Sequence, residues 1–118
     1  MAVNNGTINT GWEMFKELVH ITKRQSMEAS RLSFEKPVEF VYNPLEYAWD
    51  VHSSYLKKYG DGEGRILLIG MNPGPWGMAQ TGIPFGEVSC VRDFLGLTGI
   101  VGKPKQEHPK RPILGFDC

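Results

Sequence analysis

Apolar positions recur at two spacings along this chain, and the changes of spacing mark its elements. Trp12, Phe15, Leu18, Val19 and Thr22 step by three and four residues. That spacing predicts a helix from Gly11, with Thr10 as N-cap and Glu13 three places on. Residues 1–10 are small and polar without a period and read as a disordered lead. Val38, Phe40 and Tyr42 alternate weakly and suggest a short extended segment. Leu45, Ala48, Trp49, His52, Leu56 and Tyr59 return to helical steps. Asn43 can cap, Pro44 suits the first helical position, Glu46 stands where a capping box needs it and Gly60 supplies a stop. An amphipathic helix over Pro44–Tyr59 follows.

After a turn at Asp61-Gly62-Glu63-Gly64, Ile66-Leu67-Leu68-Ile69 is a short continuous apolar run with β-branched ends. Such a run predicts a strand buried on both faces, as in a parallel sheet. Val88, Val91 and Leu95 recur at helical spacing and predict a short helix, so the local plan is strand, long loop, helix. The expected fold class is α/β, with the loop starting where open α/β sheets bind ligands. Further on, Gly96, Gly99 and Gly102 interrupt the helix, and Ile113-Leu114 opens another apolar segment.

Composition narrows the picture. A length of 118 residues, 41 % hydrophobic and 22 % charged, fits one small globular domain and argues against intrinsic disorder. Formal net charge is zero, so any affinity for nucleic acid rests on where the charges lie. They are uneven: Lys103, Lys105, Lys110 and Arg111 face a single acidic residue, Glu107, between Lys103 and Arg111. This is either a solvated loop or a phosphate-contact surface. No stretch reaches the roughly 20 apolar residues of a membrane span and no signal peptide is legible, so a soluble intracellular protein is expected. Cys90 and Cys118 lack paired spacing or a histidine cluster. No metal site is expected, and both thiols should be free and reduced.

The loop holds the candidate chemistry. Gly70, Gly74, Gly77, Gly82 and Gly86 permit close backbone approach, while Pro73, Pro75 and Pro84 stiffen the path. It matches neither the phosphate-cradling Gly-x-x-x-x-Gly-Lys pattern nor the dinucleotide Gly-x-Gly-x-x-Gly pattern. What remains is one carboxamide, Asn72, followed by the aromatics Trp76 and Phe85. An amide can orient a water or bond a base edge, and an aromatic face can stack on a base. On the residues alone Phe85 reads first as a core residue, and His52, on an apolar stripe, as a hydrogen-bonded core histidine. His20 reads as a surface or packing residue.

The run Gly70-Met71-Asn72-Pro73-Gly74-Pro75-Trp76-Gly77-Met78-Ala79-Gln80-Thr81-Gly82-Ile83-Pro84-Phe85-Gly86-Glu87-Val88 resembles the first active-site motif of the single-strand-selective monofunctional uracil-DNA glycosylases, a branch of the uracil-DNA glycosylase superfamily. The similarity extends through Tyr42–Trp49 upstream and Gln106–Pro112 downstream. The resemblance implies a central parallel sheet flanked by helices, of which residues 11–118 would be the N-terminal half, apparently truncated. It also implies a cofactor-free hydrolase of N-glycosyl bonds in base-excision repair, nuclear and monomeric. Its partner would be uracil-containing DNA, single- or double-stranded, with the base flipped out.

Residue by residue, Asn72 matches the catalytic asparagine that positions the attacking water, and Phe85 the aromatic that stacks on uracil. Met71 matches the position whose backbone N–H faces the base. Gly74 matches the small residue that leaves room at C5, which in the family fits acceptance of 5-hydroxymethyluracil. Lys103, Lys105, Lys110 and Arg111 become phosphate candidates. The family's second motif, a His-Pro-Ser-Pro-type loop whose histidine stabilises the leaving uracil, has no counterpart: His20, His52 and His108 stand in other contexts. A catalytically inactive truncated product that binds DNA weakly, or does not fold, is therefore the alternative. An unrelated α/β enzyme acting on a small metabolite is a more distant one.

Overall fold

The computed structural model describes residues 10–62 and 66–118. Helix α1 spans Thr10–Ser30, α2 Pro44–Tyr47, α3 Trp49–Tyr59 and α4 Met78–Thr81; a π-helical turn follows at Cys90–Phe94 and a 3-10 turn at Gly115–Asp117. The lead at residues 1–9, the Thr10 side chain read as a cap, and Glu63 and Gly64 of the expected turn lie outside the described residues.

The stripe that predicts one helix over Pro44–Tyr59 yields two. Its start is as expected: Asn43 Oδ1 accepts the Leu45 N–H at 3.2 Å, and Pro44 opens the helix. Glu46, however, turns to α1, where its carboxylate accepts the Ser30 hydroxyl at 3.1 Å. The helix breaks at Ala48, with φ −109° and ψ 27°. Beside the break the Tyr47 carbonyl accepts the Gly102 N–H at 2.7 Å, and Gly82 packs so close that a Cβ there would lie 2.7 Å from the Ala48 Cβ. Tertiary contact thus overrides local helix preference. Gly60 ends α3 as expected, but with φ −83° its role is steric. A Cβ there would stand 2.6 Å from Leu18 Cδ1 of α1.

Helix α1 runs eight residues past Thr22, the last of its predicted stripe. It docks through small polar residues, Thr22 and Ser26, both buried. Asn43 Nδ2 donates to the Ser26 carbonyl at 3.0 Å and to the Ser30 hydroxyl at 2.8 Å, which ties α1 to the start of α2. Trp49 is half-buried rather than central, with the Lys23 ammonium 3.7 Å above its ring.

The expected central parallel sheet is not present: among the described residues there is no strand. Ile66, Leu67, Leu68 and Ile69 are irregular and 70–89 % exposed, and residues 38–42 are irregular as well. The physical reason is that a strand's backbone bonds all go to neighbouring strands. An apolar run with no paired neighbour satisfies neither its backbone nor its side chains.

The core forms without a sheet. Val51 from α3, Ile83 from the glycine-rich loop, Val91 from the π turn and Leu97 pack together, flanked by Tyr55, Tyr59, Leu95, Val101 and Phe116. Burying residues such as Ile83 and Val91 is worth about 1.5–3 kcal/mol each. The helix expected from Val88, Val91 and Leu95 is realised in part: residues 88–89 are helical and run into the π-helical turn, Leu95 lies just past its end, and the Glu87 carboxylate opens it. That group accepts the Ser89 and Cys90 N–H groups at 3.1 and 3.2 Å.

Candidate functional site

The second half of the glycine-rich loop is held by buried polar side chains. The Tyr47 hydroxyl donates to the Ala79 carbonyl at 2.6 Å, and burial pushes its phenol well up, so it stays a donor. His52 Nδ1 donates to the Gly82 carbonyl at 2.6 Å, and burial pushes the imidazole down, so it stays neutral. This is the hydrogen-bonded core histidine the spacing suggested. Gly82 has φ +75°, a conformation glycine adopts without penalty. Thr81 Oγ1 donates to the Gly86 carbonyl at 2.7 Å and accepts the Ile83 N–H at 3.2 Å.

Gln80 is wholly buried and uses its full bonding capacity. Nε2 donates to the Pro75 and Pro112 carbonyls, both at 2.9 Å. Oε1 accepts the Leu114 and Gly115 N–H groups at 2.7 and 3.0 Å. One side chain thereby fastens the loop to the segment that follows the basic stretch. No pattern of spacing or charge marks Gln80, because its partners are all backbone groups, three of them more than 30 residues away in sequence.

Phe85 contradicts the reading as a plain core residue. It is 65 % exposed and has φ +56°, rare for a non-glycine residue and costing on the order of 1 kcal/mol. Its ring lies against Gly70: a Cβ on that glycine would be 3.2 Å from Phe85 Cζ. Met71, Asn72, Gly74 and Phe85 line one open cleft of about 990 Å³ together with Lys103 and Lys105. Asn72 is exposed, and its Nδ2 donates to the Pro73 carbonyl at 3.3 Å. Space beside Gly74 is empty, with no heavy atom within 4 Å of where a Cβ would stand. The cleft can offer a carboxamide, an aromatic face and two cations, and the carboxylates of Glu46 and Glu87 lie on it as well.

The basic stretch is less uniform than its sequence suggests. Lys103 donates to the Ile113 carbonyl and pairs with Glu107 at 3.3 Å, so its charge is partly used within the fold. The Ile113 N–H, at 2.7 Å, is the main reason the Glu107 carboxyl sits below its usual range, with Lys103 adding to it. Lys105 lies on the cleft, whereas Lys110 and Arg111 lie outside it. The Arg111 guanidinium stands 5.8 Å over the Trp76 ring. Tyr42, which the sequence offered only as part of an extended segment and of the upstream similarity, accepts the His108 N–H and donates to the Arg111 carbonyl, both at 2.7 Å. His20 is exposed on α1.

No family model matches the chain. Curated relatives do. Over 95 residues, 80 % of the chain, it is 56 % identical to the rat protein described as single-strand selective monofunctional uracil-DNA glycosylase, covering 34 % of that relative. Over the same length it is 59 % identical to the bovine protein of that description, covering 35 % of it, and 56 % identical to the mouse protein, covering 34 %. The chain therefore spans about a third of the length of the curated relatives it matches.

Proposed function

We propose that this chain, which belongs to the single-strand selective monofunctional uracil-DNA glycosylase family, carries the uracil-binding and water-positioning segment of a DNA-repair glycosylase. The observation that carries the reading is the gathering of Met71, Asn72, Gly74 and Phe85 on one cleft, with the Phe85 ring held open to solvent at a positive φ. The substrate is uracil, or an oxidised uracil such as 5-hydroxymethyluracil, in single- or double-stranded DNA of the nucleus. The base leaves the stack to reach the cleft, as bases must for chemistry at the sugar–base bond.

In this reading the Asn72 amide oxygen accepts a hydrogen bond from a water whose oxygen attacks the sugar C1′. The new C–O bond forms as the C1′–N1 bond breaks, and that electron pair departs with the base. The proton released by the water goes to solvent or to the departing base. A carboxamide takes up no proton near neutral pH, so Asn72 contributes orientation. Phe85 stacks on the base, worth about 1–3 kcal/mol, the Met71 N–H faces it, and Gly74 leaves space at C5. Lys105 at the cleft, with Lys110 and Arg111, would meet phosphates and make binding salt-dependent.

A second reading is favoured by two observations: the chain has no His-Pro-Ser-Pro loop, and Asn72 is open to solvent. Losing a single stabilising donor costs roughly 10²–10³ in rate elsewhere. This chain would then bind uracil-containing DNA as a monomer without turning it over.

The test uses a single-stranded oligonucleotide with one uracil, incubated with the parent chain and with Asn72→Ala, followed by alkaline cleavage of abasic sites. Shortened strand from the parent alone is the result expected of the glycosylase reading, while salt-dependent binding without product supports the second. Equal product from both proteins would remove Asn72 from the mechanism.

A further inference from the structure

Next to the cleft lies a second, smaller groove that the uracil reading leaves unused. Phe40, His108, Arg111, Pro73 and Pro75 line it, and Tyr42, Pro44 and Pro73 belong to both hollows, so the two are contiguous. Phe40 meets His108 edge to face, with centroids 5.0 Å apart at 79°. His108 Nδ1 accepts the Lys110 N–H at 3.0 Å, which puts the proton of the neutral ring on Nε2 as a donor. Arg111 brings a guanidinium that also lies over Trp76 of the glycine-rich loop.

We propose that this groove is a subsite for the nucleotide adjoining the extruded base on the same DNA strand. The inference rests on the uracil reading of the neighbouring cleft. An aromatic ring beside apolar proline rings suits a nucleobase, and the guanidinium suits a phosphate. Continuity across Tyr42, Pro44 and Pro73 gives one strand a path from cleft to groove without leaving the surface. Glu39 also lines the groove, and its carboxylate disfavours a phosphate beside it. The Tyr42 hydroxyl bonds the His108 N–H and the Arg111 carbonyl, which fixes the backbone that carries these two side chains. Stacking and phosphate pairing are tolerant of base identity, so the subsite senses that a neighbour exists rather than which base it carries.

Binding by the full 118-residue chain tests this, with deoxyuridine 5′-monophosphate and a single-stranded trinucleotide with central uracil as the probes. Phe40→Leu is expected to weaken the trinucleotide about five- to tenfold and leave the mononucleotide unchanged, and Arg111→Met to weaken the trinucleotide by a similar factor. Phe85→Ala should weaken both. A 2-aminopurine placed on either side of the uracil should lose fluorescence on one side only, and Phe40→Leu should restore it. Thermal melts of each variant separate lost binding from lost folding. If Phe85→Ala weakens both probes while Phe40→Leu and Arg111→Met change neither, the subsite is wrong and the uracil reading stands. If the parent binds neither probe, or Phe85→Ala changes neither, the uracil reading falls and takes the subsite with it.

Discussion

The two ends of the glycine-rich stretch are built differently. Residues 66–72 present Ile66, Leu67, Leu68, Ile69 and Met71 to solvent, whereas Gln80, Thr81 and Ile83 are almost wholly buried. The buried end finds partners in α2, α3 and the C-terminal segment: Tyr47, His52, Pro112 and Leu114 all reach it. The apolar run has no comparable surroundings among the described residues. Local order therefore follows the supply of partners more closely than it follows hydrophobicity, since the most apolar tetrapeptide of the stretch is exposed. Asn72 lies at the exposed end and Phe85 beyond the clamped one, so the candidate site spans both regimes.

The difference can be broken most sharply at Gln80. Gln80→Leu keeps the volume but strands the Pro75 and Pro112 carbonyls and the Leu114 and Gly115 N–H groups in a buried position. The expected loss is on the order of 3 kcal/mol, read by urea denaturation. A loss below about 1 kcal/mol would mean that the buried end is held by packing alone.

A smaller, pH-dependent effect belongs to His52. Its folded pKa lies below the ordinary 6.5 because burial disfavours the cation. The unfolded chain then binds the extra proton first. Stability is fully present above pH 6.5 and is lost as pH falls from there through the folded value. The slope is at most about 1.4 kcal/mol per pH unit. His52→Asn, which can keep a donor towards the Gly82 carbonyl but does not titrate, should flatten denaturant melts between pH 5 and 6.5. A parent and variant with the same slope would assign the acid sensitivity to other groups.

The smallest effect is expected at the exposed end. Leu68→Lys should change stability by less than about 0.5 kcal/mol, because the side chain is already in water. A loss of several kcal/mol in the same melts would show that the run is buried in solution and would erase the contrast.

Much of the helical architecture was legible in the chain. Asn43 and Pro44 start a helix, Gly60 ends one, and Val88 and Val91 lie on a short helical turn, because caps and spacing are local properties. The split at Ala48 was not, since it depends on Gly82 and Gly102, residues distant in sequence. The sheet inferred from Ile66–Ile69 was an error of the same origin: a strand is completed by other strands, and a tetrapeptide cannot announce whether it has them. At the site, Asn72 and Phe85 stand in a sequence motif, whereas the partial use of Lys103 within the fold and the positive φ of Phe85 leave no mark in the sequence.

By itself, the sequence determined the helix starts and stops, the uneven placing of positive charge and the likeness of residues 70–88 to a glycosylase motif, because these reside in residue types at short spacing. Only the tertiary structure decided that Phe85 faces solvent, that Gln80 and His52 clamp the loop, and that Arg111 stands with His108 beside a second groove. Those outcomes depend on which backbone groups, far apart in the chain, are left needing a partner once the core has closed.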